Sequence, residues 1–239
     1  MTLMAHAGAE KINREALARI ETPPATDTFR PIPHHELIDT LTETLSFRHI
    51  QVTKDEYAVT PDGSRMFGLL ELDATFLDCR FSIGVRNAHD KSMRLGLVAG
   101  YRVFVCDNMA FQGEFHPVLA KHSKKFNLQD ALTLGVDRIQ RNWTPLRESL
   151  ERRQNFQLTP EQAQLSIYKA FVEVGGFPIK LMRTVDHLFF YPQHKEFQSR
   201  TMWTLENAFT SAFKQLKPVP QYQATARLGK YISDLTPPF

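Results

Sequence analysis

Five polar residues crowd one short stretch of the chain: Arg86, Asn87, His89, Asp90 and Lys91. A histidine beside a carboxylate is the raw material of a general base, with the carboxylate orienting the ring. Arg86 and Lys91 carry the charge to hold a phosphate. The same residue types also do local work. Asparagine, aspartate and Ser92 around a turn bond their own backbone and tolerate unusual φ values. A site and a hairpin knot are both open readings of this stretch. Cys106 offers a thiol nucleophile, with His89, His116 or His122 as its base. A buried free cysteine serves equally as a small hydrophobe. The catalytic candidates are therefore His89, Asp90 and Cys106, and turn chemistry weighs against them, so a non-enzymatic protein is the expectation.

Cofactor chemistry finds little support. There is no GxGxxG, no GxxxxGK[ST] and no HExxH. His34-His35, His116 with His122, and His187 with His194 do not match a zinc or di-metal spacing, and Cys79 lies far from Cys106. No metal ligand set and no cofactor are expected.

A second cluster is basic. Lys121, Lys124 and Lys125 precede Phe126, and Arg138 and Arg141 follow on a helical pattern. Phe111, Phe115 and Phe126 interleave them. Cations that track a backbone beside aromatics that stack on bases are the two parts of a single-strand site. With Arg80, Arg86, Lys91 and Arg94 from the neighbouring strands, these residues form the candidate nucleic-acid contacts, Phe111 and Phe126 as stacking platforms. A solvated basic helix face over a phenylalanine core is the competing reading. Charge placement bears on the choice. Net charge is only +3, yet residues 1–85 hold 8 Lys/Arg against 13 Asp/Glu, and residues 86–153 hold 12 against 7. An acidic front and a basic remainder suit a polyanion-facing surface or a head-to-tail contact between copies.

The elements that must position these clusters follow from periodicity. Residues 9–20 pattern as a short amphipathic helix, and 22–33 as an extended proline-containing linker, since each proline disfavours helix at the residue before it. Residues 34–47 place Leu37, Ile38, Leu41 and Leu45 on one helical face. Residues 50–60 and 65–72 read as a hairpin around Pro61-Asp62-Gly63. The next strand, 75–88, turns Cys79, Phe81, Ile83 and Val85 to one side and Arg80, Ser82, Gly84 and Arg86 to the other. Strands at 93–98 and 101–106 are expected to be split by a turn or bulge at Ala99-Gly100. Pro117 is expected to open a short helix over 117–125. Residues 128–153 form a long helix whose apolar stripe steps by 4 and 3, with a kink or restart near Pro145. Thr159-Pro160-Glu161-Gln162 is a helix start, and Gly175-Gly176 its stop. Residues 179–190 are ambiguous; 196–216 and 222–234 are helices.

Strands followed by helices make the chain α+β: a small antiparallel sheet of four to five strands packed on a long kinked helix, with a C-terminal helical subdomain. The expected division is 1–33 (N-terminal helix and linker), 34–156 (sheet domain with the long helix) and 157–239 (helical subdomain). With 42% apolar residues and no apolar run of membrane length, a membrane span is not expected. Two cysteines without an export signal suggest free thiols in the cytoplasm.

The runs Arg86-Asn87-Ala88-His89-Asp90-Lys91-Ser92, Arg102-Val103 through Cys106-Asp107-Asn108-Met109, and Trp203-Thr204-Leu205-Glu206-Asn207-Ala208-Phe209-Thr210 resemble an uncharacterised family of phage- and plasmid-like proteins, domain-of-unknown-function family 932. The resemblance covers roughly residues 45–232. Met109 stands where the family pattern favours glycine. The resemblance implies a mobile-element context and a bias toward DNA transactions. The leading expectation is a nucleic-acid-binding protein that favours single-stranded DNA, in binding or annealing, and forms homo-oligomers. A module engaging a host protein, and a small hydrolase or transferase using His89 and Asp90, are the alternatives.

Overall fold

The computed structural model describes residues 9–76, 79–103, 109–111, 117–216 and 218–236. The chain divides into two compact units, residues 1–102 with 115–142, and residues 103–114 with 143–239.

The first unit is built on an antiparallel sheet. It begins with a strand, β1 (Glu10–Ile12), and only then a one-turn helix, α1 (Arg14–Ala18), where the sequence pattern predicts helix throughout. Pairing decides the difference: Glu10, Lys11 and Ile12 lie against Val59, Ala58 and Tyr57. Asn13 then caps α1 by accepting the Ala16 N–H. Helix α2 (His34–Ser46) keeps its predicted stripe, with His34, Leu37, Ile38, Leu41 and Leu45 all buried. Thr40, Thr42 and Thr44 return their hydroxyls to the carbonyls four residues back, which satisfies polar groups that otherwise compete with the helix.

Strands β2 (Val52–Val59) and β3 (Arg65–Phe76) form the predicted hairpin. Gly63 sits at φ 70°, the conformation its turn requires. The Asp62 carboxylate accepts from Thr60 and Ser64, which hold its pKa down at about 2. Strand β4 (Cys79–Ala88) pairs with β3 from Cys79 to Ala88. Strand β5 (Leu95–Val103) runs unbroken through Ala99-Gly100, so the turn expected there does not form. Both residues lie within the strand, and Ala99 is buried. The predicted helix after Pro117 is instead a strand, β7 (Val118–Ala120), whose residues pair with Leu97, Gly96 and Leu95. An open edge on β5 competed there with weak helical propensity. Among the described residues six strands thus make up the sheet of this unit.

Helix α3 (Leu128–Asn155) spans the whole predicted stretch, with Pro145 inside it and no restart at Thr144. Its first half buries Leu132, Val136 and Ile139. Gly135 lets it close on the sheet: a Cβ there would collide with Val118 Cγ2.

The second unit is mostly helical. Besides the short strand β6 (Met109–Phe111) it holds α4 (Pro160–Lys169), α5 (Met182–Phe190), α6 (Met202–Phe213) and α7 (Pro218–Leu235). Thr159 and Gln162 form the predicted capping box. A π-helical turn follows over Ala170–Val174, and Gly175 and Gly176, both at positive φ, end it. Thr201 and Thr204 cap α6, which therefore starts six residues later than its apolar pattern suggests. Phe171, Phe177, Phe209 and Phe213 stack through the core. Among the described residues no helix is long and apolar enough to cross a membrane.

Candidate nucleic-acid interface

Strand alternation carries past Val85. Cys79, Phe81, Ile83 and Val85 face the core, and so do Asn87 and His89, at 0% and 7% exposure. His34 heads the buried stripe of α2, and His122 follows β7, also buried. These four residues meet. Asn87 Nδ2 donates to the carbonyl of Ile32 at 2.8 Å and to His34 Nδ1 at 2.9 Å. His122 Nε2 donates to Asn87 Oδ1 at 2.6 Å. His34 Nε2 donates to the Gly63 carbonyl at 3.0 Å, and His89 Nε2 to Ile32 at 2.9 Å. The His34 and His89 rings stack at 3.9 Å and 3°.

The proton inventory follows from the acceptors. The amide orientation of Asn87 is set by Ile32, whose carbonyl accepts and cannot face another oxygen. His34 Nδ1 must then be a bare lone pair and that ring neutral, while His89 and His122 each carry hydrogen on Nε2. The pKa values agree with that geometry. Burial and the neighbouring His89 push His34 down to about 4, against a backbone bond to Gly63 that opposes the shift. Burial lowers His89 as well; it also lowers His122, with His89 adding to the effect.

Every nitrogen named above holds a hydrogen bond, and among the described residues no three His, Cys, Asp or Glu side chains are arranged to hold a metal. Nor is His89 paired with Asp90. The Asp90 carboxylate accepts from Arg65 Nε at 2.7 Å and from Ser92, which is turn chemistry. Cys106 lies outside the described residues, as do Phe115 and His116, and so does the side chain of Phe111.

The cluster ties down the proline-containing segment. Ile32 receives two of its donors, and the Arg30 N–H reaches the His122 carbonyl at 3.0 Å. The tied segment forms one wall of an open cleft of about 720 Å³. Residues 123–129 and the first turns of α2 and α3 form the rest. Arg30, Lys124, Lys125 and Phe126 line it, with Glu36 as the acid. Pro33 gives α2 no side-chain cap, so the uncapped first-turn N–H groups add positive potential. Lys124 approaches Asp27 at 3.8 Å, both exposed, a weak pair.

The two polar clusters of the sequence converge here. Lys91, at φ 63°, lies 5.1 Å above the Phe29 ring, and Phe29 packs on His122 with ring centres 5.4 Å apart. Lys121, Lys124 and Lys125 are exposed beside them. The other candidates are placed differently. Arg80 pairs with the buried Glu71 at 3.3 Å. Arg86 is half-buried, its side chain laid over Gly96. Arg94 is exposed; Arg138 donates to the Pro117 carbonyl and Arg141 to that of Asp137, both on exposed helix surface. Sequence reasoning missed Phe29, Arg30 and the partnership of His34 with Asn87. Two signals existed: alternation continued two steps beyond Val85, and the α2 stripe continued one step back from Leu37.

The model of the family described as Domain of unknown function (DUF932) matches residues 25–231, a span that includes Ile32, His34, Asn87, His89 and His122; the chain belongs to that family. No curated protein and no solved structure matches it.

Proposed function

We propose that this family member is a non-enzymatic nucleic-acid-binding protein of phage- or plasmid-like elements, one that favours single strands and works as an oligomer. The observation that carries the reading is the convergence of Arg30, Lys124 and Lys125 with Phe126 on one open cleft. Cations spaced along a groove neutralise successive phosphates, and a wall aromatic offers a stacking face that any base can use. The uncapped N-terminus of α2 adds backbone donors of the same sign. Lys91 and Lys121 extend the basic surface past Phe29. A catalytic role for His89 gains nothing from this geometry, because its Nε2 is committed to the Ile32 carbonyl.

The test is a salt series on a fluorescein-labelled 20-mer oligothymidylate, read by anisotropy. Three phosphate contacts predict a log–log salt slope of about −2 for a single strand. Replacing Lys124 and Lys125 together by alanine removes two contacts and flattens the slope by about 1.4. Absence of binding at low salt, or a double variant with an unchanged slope, overturns the reading.

A further inference from the structure

We infer that His34, Asn87, His89 and His122 form an acid-sensitive catch that holds residues 30–33 as the closed wall of the basic cleft, so that acidification opens the cleft and weakens its hold on nucleic acid. The link to nucleic acid rests on the reading above; the catch itself rests on the hydrogen-bond geometry. Asn87 can donate to His34 only while His34 Nδ1 lacks a proton. A proton there sets donor against donor. The amide must then turn, which withdraws its N–H from Ile32 and its oxygen from His122. One protonation therefore breaks the Asn87 bond to the wall at Ile32 and the Asn87 bond to His122, leaving His89 as the remaining side-chain donor to Ile32, and the Arg30 contact to His122 loses its support.

Among the described residues no anion acts on His34 to compensate. His89 from the end of β4 stacks on it, His122 lies beyond Asn87, and His35 is its neighbour on α2. Asp90 acts favourably on His89 but is turned toward Arg65 and Ser92. Lys91, over Phe29, is a further cation at the His122 side, and Glu36 lies out along the cleft. The sign is set by His34. Its pKa is about 4 in the closed state and the ordinary 6.5 once released, so the catch is at full strength above pH 6.5 and fails as pH falls toward 4. At pH 5 the opening equilibrium exceeds that at pH 8 by about 30-fold from His34 alone.

This prediction runs against simple electrostatics, since three added imidazolium charges would strengthen a polyanion's attraction. Hydrogen exchange of the peptide covering residues 22–33, corrected for intrinsic rates, is compared at pH 8, 6 and 5 with that of residues 202–213. Anisotropy of the same 20-mer is read at constant ionic strength. The expected result is a loss of protection of about 30-fold or more at pH 5 in 22–33 alone, with affinity falling over the same pH range. His34→Gln, which cannot titrate, removes the His34 share and leaves only the weaker pH dependence that His89 and His122 contribute. Should that variant not fold, His89→Gln retains a donor for Ile32 and removes the stacked ring, and the release then moves to lower pH. Unchanged protection at pH 5, or loss shared with residues 202–213, overturns the catch. Release without any oligonucleotide binding at pH 8 supports the catch and overturns the nucleic-acid reading alone.

Discussion

Replacing Asn87 by leucine tests the buried network most directly. Leucine keeps asparagine's branching and is larger, so no cavity opens, and overpacking adds to the chemical change. Three hydrogen bonds disappear, those to Ile32, His34 and His122. The Ile32 carbonyl keeps a donor in His89. His34 Nδ1 and His122 Nε2–H do not, and both belong to buried residues. Each buried group left unmet costs about 1–3 kcal/mol. The expected loss is therefore about 4 kcal/mol, measured by urea unfolding at pH 8, where all three imidazoles are neutral. The variant should also unfold with an unchanged m-value, because the surface exposed is the same. A loss below about 1 kcal/mol would refute the reasoning, since it would mean that water already satisfies these groups in the native state.

Two further changes probe the scaffold. Arg153 Nη1 bridges both oxygens of Glu206 at 2.8 and 2.9 Å, with both side chains under 5% exposed; Glu206→Leu should cost about 3–5 kcal/mol by leaving a buried guanidinium, while the double change with Arg153→Met recovers most of it. A thermal melt of both variants decides, and a harmless single change would show the pair to be hydrated. Gly135→Ala should lower stability by about 1–2 kcal/mol, despite alanine's better helix propensity, because its Cβ meets Val118; a rise in urea midpoint would show that β7 yields easily.

Local chemistry made much of the fold legible. Pro61-Asp62-Gly63 specified the β2–β3 turn, Thr159 and Gln162 the start of α4, and Gly175-Gly176 its end, because each acts through its own backbone or a neighbour three or four residues away. The α2 and α3 stripes were readable for the same reason. The two helices that became strands involve distant partners. Residues 10–12 became a strand because 57–59 lay open to pair, and 118–120 because β5 did.

The candidate site divides along the same line. The polar residues of 86–92 divide between two sets of partners. Asp90 and Ser92 serve the turn, while Asn87 and His89 point inward to Ile32 and His34. Nothing in the sequence joins them to Ile32 and His34, which lie 53 to 57 positions away, or to His122, 35 positions away. A buried polar group must be satisfied wherever the chain brings a partner, and only the packed tertiary structure determines which partner that is.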